Sequence, residues 1–163
     1  MEDAIDKYIK KRTSELIESL TIDKHDDGID FDSPLEHLFY IAFREHEAMT
    51  PISTKNGYFV ADIILNTQHE VGHYRIDFLI TCYIPEFGDS VMIAVEIDGH
   101  EFHEKTKEQA SKRNKRDAYL QTHGYYILRF TGSDVYNDVD KCVNDTLVFI
   151  RDLSRNIIGK RFV

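Results

Sequence analysis

Apolar and polar positions alternate in three different rhythms along the chain, and each rhythm predicts a different element. Between Asp3 and Leu20 the residues Ile5, Tyr8, Ile9, Leu16, Ile17 and Leu20 recur at helical spacing, which predicts an amphipathic N-terminal helix. An acidic, glycine-containing stretch from Thr21 to Asp32 then reads as a linker. "DSPLEHLFYIAFREHE" opens with Ser33 as N-cap, Pro34 at the first helical position and Glu36 in the first turn, so a second, largely buried helix starts there. "NGYFVADIILNTQ" and "HYRIDFLITCYI" are rich in β-branched and aromatic residues and read as an antiparallel pair. "SVMIAVEIDG" is continuously apolar until its end, as a central strand covered on both faces must be. The basic run up to about His123 predicts a long helix with Ala110, Tyr119 and Leu120 inward and Gly124 as its stop. "YYILRF" is a further buried strand, and the segment from Gly132 to Arg155 predicts one last helix with Val135, Val139, Val143, Leu147 and Ile150 inward.

This order predicts a layered α/β domain with a mixed central sheet flanked by helices. The expected organisation is an N-terminal helix and acidic linker over 1–32 and one globular domain over 33–163. A chain of 163 residues with 42% hydrophobic composition can bury a core of that size. No apolar run approaches the roughly 18 residues of a membrane span, and the N-terminus lacks a secretion pattern, so no membrane and a cytoplasmic location are expected. Cys82 and Cys142 have no metal-binding or disulfide spacing and read as core or near-surface thiols.

Charge changes the picture locally. The formal net charge of −9 disfavours a polyanionic partner at long range. Between His103 and Asp117, however, six Lys or Arg stand against three acids. Lys105, Gln109, Lys112 and Arg116 fall at i, i+4, i+7 and i+11, one helical stripe that suits a phosphate, although such a stripe is ordinarily just a solvated face.

Three carboxylates stand where carboxylates are costly or well supported: Glu36 in a helical first turn, Asp77 inside "YRIDFLI", and Glu96 at the end of "MIAVEI". Burying an ionised carboxylate costs several kcal/mol unless it is paired or metal-bound. The alternatives are ordinary ones: a strand residue facing water for Asp77, a solvated strand end for Glu96, a dipole-favoured acid for Glu36. Arg75 or a metal is the expected partner of Asp77. Strand alternation puts Glu96 and Asp98 on one face, where both can reach one cation. Hard oxygen ligands of this kind suit Mg²⁺ or Mn²⁺. A histidine nearby can move a proton; His103 is the candidate and His100 the weaker one. With cations on the adjacent helix, hydrolysis of a nucleic-acid backbone is the reaction these parts fit.

The runs "YRIDFLI", "IAVEIDGHEFH" and "KRDAYLQTHGYYILRFTGSDV" together resemble the PD-(D/E)xK, or restriction-endonuclease-like, nuclease superfamily, and within it the branch of the DUF559 domain and the very-short-patch repair endonucleases. The resemblance covers roughly Ser33 to Val135. It implies a three-layer fold of core order αβββαβ, here with an extra N-terminal and a C-terminal helix, and a Mg²⁺- or Mn²⁺-dependent endonuclease acting on DNA in repair, restriction or defence. It implies Asp77 and Glu96 as metal ligands, Glu36 as the first-helix acid and His103 as the proton-handling histidine; strand alternation, not the resemblance, adds Asp98 as a third ligand. Lys105, Gln109, Lys112, Arg113 and Arg116 would hold phosphate or DNA. The third-strand lysine of the motif is Asp98 here, so Gln109, Lys112 or Arg113 would have to supply its function from the helix. Two other readings stay open. One is a degenerate relative that binds nucleic acid or protein, and the other is a small-phosphoester hydrolase built on Glu36, Asp77, His100 and His103. The N-terminal segment would pack on the core or mediate a homodimer.

Overall fold

The computed structural model describes residues 31–49, 62–84, 88–98 and 107–160. The expected N-terminal helix, most of the acidic linker, His100, His103 and Lys105 lie outside the described residues.

The first described helix, α1 (Pro34–Met49), begins where its capping chemistry dictates. The Glu36 N–H donates to Ser33 Oγ at 3.2 Å, and Ser33 Oγ donates to Glu36 Oε1 at 2.8 Å, so cap and first-turn acid hold each other. Three strands follow: β1 (Asp62–Val71), β2 (Tyr74–Ile84) and β3 (Asp89–Asp98). They form an antiparallel meander. Helix α2 (Lys107–Thr122) then carries the chain to β4 (Tyr125–Thr131), which pairs parallel to β3 and completes a sheet of order β1-β2-β3-β4.

The β1–β2 turn spans two residues, Gly72 and His73, between the paired Val71 and Tyr74. Gly72 has φ 63, a left-handed conformation that side chains resist. A Cβ there would also strike the Tyr119 hydroxyl and stand 3.0 Å from its ring carbon Cζ. Gly72→Val is therefore expected to lower stability by about 2 kcal/mol, through strain and through displacement of Tyr119. A shift in the urea midpoint of under about 0.2 M would show that the turn tolerates the change.

The two sheet faces are covered differently. Phe39 of α1 packs on Phe43, Phe78 and Phe130 at ring-centroid distances of 6.1, 5.2 and 6.0 Å. The opposite face carries Leu79, Ala94 and Ile127 against Leu120 and Tyr119 of α2. β3 is buried from Val91 to Ile97 apart from the half-buried Met92, as its continuous apolar run requires. Cys82 and Cys142 are buried thiols not joined in a disulfide.

The C-terminal segment differs from the single helix expected there. It folds as a short helix α3 (Gly132–Asn137) and a long helix α4 (Val139–Lys160). Thr131 and Asp134 form a capping box that starts α3 at once. Asp138, at φ −159 and ψ 78, ends α3 and its carboxylate accepts the Lys141 N–H at 2.9 Å, so the same residue caps α4. The hydrophobic spacing survives the break: Val135, Val143, Leu147 and Ile150 are buried and Val139 is half-buried.

Candidate active site

The β2–β3 register runs from Ile84↔Asp89 to Phe78↔Val95. One step further Asp77 comes opposite Glu96, and there a side chain takes over from the backbone ladder: Asp77 Oδ2 accepts the Ile97 N–H at 2.7 Å. On the next strand Glu96 is the register partner of Arg129. Asp77, Glu96 and Arg129 share strand parity with Leu79, Ala94 and Ile127, so they continue the α2-facing apolar layer as a polar row. Gln68 lies between Thr67↔Phe78 and His69↔Ile76, at the level of Asp77, with φ 49. The row thus crosses β2, β3 and β4, with Arg116 and Asp117 of α2 reaching it, while the Gln68 side chain turns to Glu36 of α1.

The side chains of the row are interlocked. Arg116 of α2 donates through Nη2 to Glu96 Oε1 and to the Arg75 carbonyl, the latter at 2.6 Å. Arg129 donates through Nη1 to Asp98 Oδ1 and through Nη2 to Asp117 Oδ1, both at 2.9 Å. Gln68 Nε2 donates to Glu36 Oε2 at 2.7 Å. Glu36 is buried and is thus fixed by its own cap on one oxygen and by Gln68 on the other.

Electrostatics single out Glu96, whose side chain is only 4% exposed. Burial and then the charge of Asp77 push its pKa up to about 7, with Arg116 and Arg129 offsetting part of the rise. Arg129 is held above its ordinary value: burial works the other way, but Asp98 and Asp117 outweigh it.

Several expectations take a more specific form. Arg116, expected on a phosphate-facing stripe, is engaged with Glu96, while Gln109 and Lys112 are exposed and Arg113 is half-buried. Asp98 is ion-paired with Arg129. Among the described residues no three His, Cys, Asp or Glu side chains are grouped to hold a metal. The remaining pair, Asp77 and Glu96, offers hard oxygens on adjacent strands, and Mg²⁺ is commonly held by one or two carboxylates with water and substrate phosphate. Their mutual repulsion, which raises the Glu96 pKa, is what a divalent cation would relieve. The donor chemistry therefore fits such an ion.

Arg129 and Gln68 were not among the expected site residues. Arg129 carries the signal that marked Asp77 and Glu96, a charge inside an apolar strand, in "YYILRF". Gln68 sits in a polar run with no such contrast.

No helix among the described residues is long and apolar enough to cross a membrane. No curated protein and no solved structure matches the chain significantly. The sequence profile of the restriction-endonuclease-like family REase_MTES_1575 matches residues 54–150, more than half of the chain and the whole span from β1 through the first half of α4. With its mixed four-stranded sheet between helices and an acidic pair where β2 and β3 part, the chain belongs to the REase_MTES_1575 family.

Proposed function

We propose that the protein is a Mg²⁺- or Mn²⁺-dependent endonuclease that hydrolyses DNA phosphodiester bonds. The observation that carries this reading is the buried Glu96 beside Asp77, at the place where the backbone pairing of β2 and β3 gives way to a side chain, in a chain of restriction-endonuclease-like family. Bound by these two carboxylates, the metal would polarise the phosphodiester and lower the pKa of the attacking water. Asp77 and Glu96 would hold the ion, and the Ile97 N–H fixes the Asp77 carboxylate for that role. Gln109, Lys112 and Arg113 on α2 bind backbone phosphate, which an acidic protein needs locally to retain DNA. His103 exchanges a proton with the water or the leaving oxygen. Glu36 supports the site from α1 through Gln68.

A second reading has one observation in its favour. The position of the motif lysine is Asp98, and its carboxylate is taken by Arg129, which suits a relative that binds DNA without cutting it.

The test is cleavage of supercoiled, linear, single-stranded and junction DNA with Mg²⁺, Mn²⁺ or EDTA. Nicking or cutting with metal and none in EDTA is expected. Retained DNA binding with no cleavage in either metal would establish the second reading instead. In parallel, Mn²⁺ at about 100 times its dissociation constant should stabilise the fold by about 2.7 kcal/mol, seen as a rise in Tm. An unchanged Tm across a millimolar titration would remove the metal site.

A further inference from the structure

Arg116 occupies an unusual position for a residue of a basic helix. Its guanidinium bridges the two strands where their ladder stops, touching the Arg75 carbonyl on β2 and the Glu96 carboxylate on β3. Arg75 lies two residues from Asp77, so the positive charge sits at the mouth of the pair that would ligate a cation. Two carboxylates near one another require a counter-charge, and among the described residues Arg116 is the cation hydrogen-bonded to Glu96. The side chain is 22% exposed, which leaves it a route toward solvent that the 4% exposed Glu96 lacks.

We propose that Arg116 is a place-holding cation: it neutralises Glu96 in the metal-free protein, competes with the divalent ion for that carboxylate, and is released toward the substrate phosphate when the ion binds. This rests on the metal-dependent reading above and adds to it an exchange of one cation for another. A guanidinium suits both partners because its planar fork matches carboxylate and phosphate alike. The backbone carbonyl of Arg75 is a second acceptor that keeps the displaced fork near the strands rather than free in solvent. Arg129 cannot exchange in the same way, since two carboxylates, Asp98 and Asp117, hold both of its terminal nitrogens.

Competition and support give opposite signs when the residue is removed. If Arg116 only oriented Glu96 as a ligand, Arg116→Met, which keeps the aliphatic stem, would bind metal more weakly. If Arg116 competes, the variant must bind metal more tightly, because the Glu96 carboxylate then holds no Arg116 guanidinium for the ion to displace. The measurement is Mn²⁺ affinity of the full-length protein without DNA, by calorimetry or by electron paramagnetic resonance of the unbound ion. Arg116→Met is expected to bind Mn²⁺ about tenfold more tightly than wild type, and Arg116→Lys to fall nearer wild type. The far-ultraviolet circular dichroism of each variant checks that it is folded, and Arg116→Gln, which also removes the cation, serves for the comparison should Arg116→Met fail that check. Equal or weaker Mn²⁺ binding by folded Arg116→Met or Arg116→Gln overturns the exchange while leaving the metal site standing. Absence of Mn²⁺ binding in wild type and variants alike overturns both the exchange and the metal-dependent reading.

Discussion

Glu96→Gln is expected to cost at least about 10³-fold in metal-dependent DNA cleavage and, in metal-free buffer above pH 7, to make the protein more stable. The two effects share one cause. Glu96 is buried beside Asp77, which raises its folded-state pKa to about 7 from an ordinary value near 4.5. Below pH 4.5 it is protonated whether the chain is folded or not and imposes no penalty. As pH rises from about 4.5 to 7 the unfolded chain ionises readily while the folded one resists, so stability is lost across that window. Above pH 7 the loss is complete and amounts to about 3 kcal/mol, at 1.36 kcal/mol per pH unit of displacement. Glutamine keeps the shape, removes the charge and abolishes this pH dependence. Chemical denaturation in EDTA at pH 5 and pH 8 should give a wild-type midpoint that falls and a variant midpoint that stays level. A parallel decline in both proteins would show that Glu96 is not the group responsible. Asp77→Asn should match the loss of cleavage. Cleavage retained in both variants would remove these carboxylates from the chemistry.

The second large effect is expected at Arg129. Its guanidinium joins Asp98 on β3 to Asp117 on α2, and all three side chains are less than a third exposed. Replacing it by methionine leaves two carboxylates facing each other across a largely dry gap. Breaking a buried pair from one side costs about 3 kcal/mol, which for a domain of this size lowers Tm by about 10 °C. Adding Asp98→Asn and Asp117→Asn to the same chain should recover most of the loss, since neither carboxylate then lacks its cation. A single-variant change of under about 0.5 kcal/mol would show that water already satisfies these groups.

The fold was legible wherever one residue pattern had only one physical outlet. Ser33, Pro34 and Glu36 specify a helix start by local chemistry alone, and the Ser33 hydroxyl caps the Glu36 N–H there. The apolar run ending at Glu96 could only be a covered strand. Asp138 shows the limit: helical spacing of valines and leucines is blind to a break that preserves the phase, and the Asx cap that causes the break looks like any other surface aspartate. The same distinction runs through the site. Asp77 and Glu96 stood out because a carboxylate among apolar neighbours is costly. Asp98 was read from strand parity as a companion of Glu96. Parity was correct, but the choice of partner depended on Arg129, which lies on a strand that α2 separates in sequence. Gln68 reaches Glu36 from a left-handed backbone position that no local pattern announces.

The meander of β1, β2 and β3 also bears on how the protein folds. Asp77 and Glu96 are joined by the single β2–β3 hairpin, whose loop closes at small entropic cost. Arg116 and Arg129 arrive only with the crossover through α2 and the parallel docking of β4. Local pairings of low sequence separation are expected to form early. The two acids would then be brought together before either of their cations, so a divalent ion or high salt during refolding should speed the late phase, and stopped-flow kinetics with and without Mn²⁺ would measure by how much.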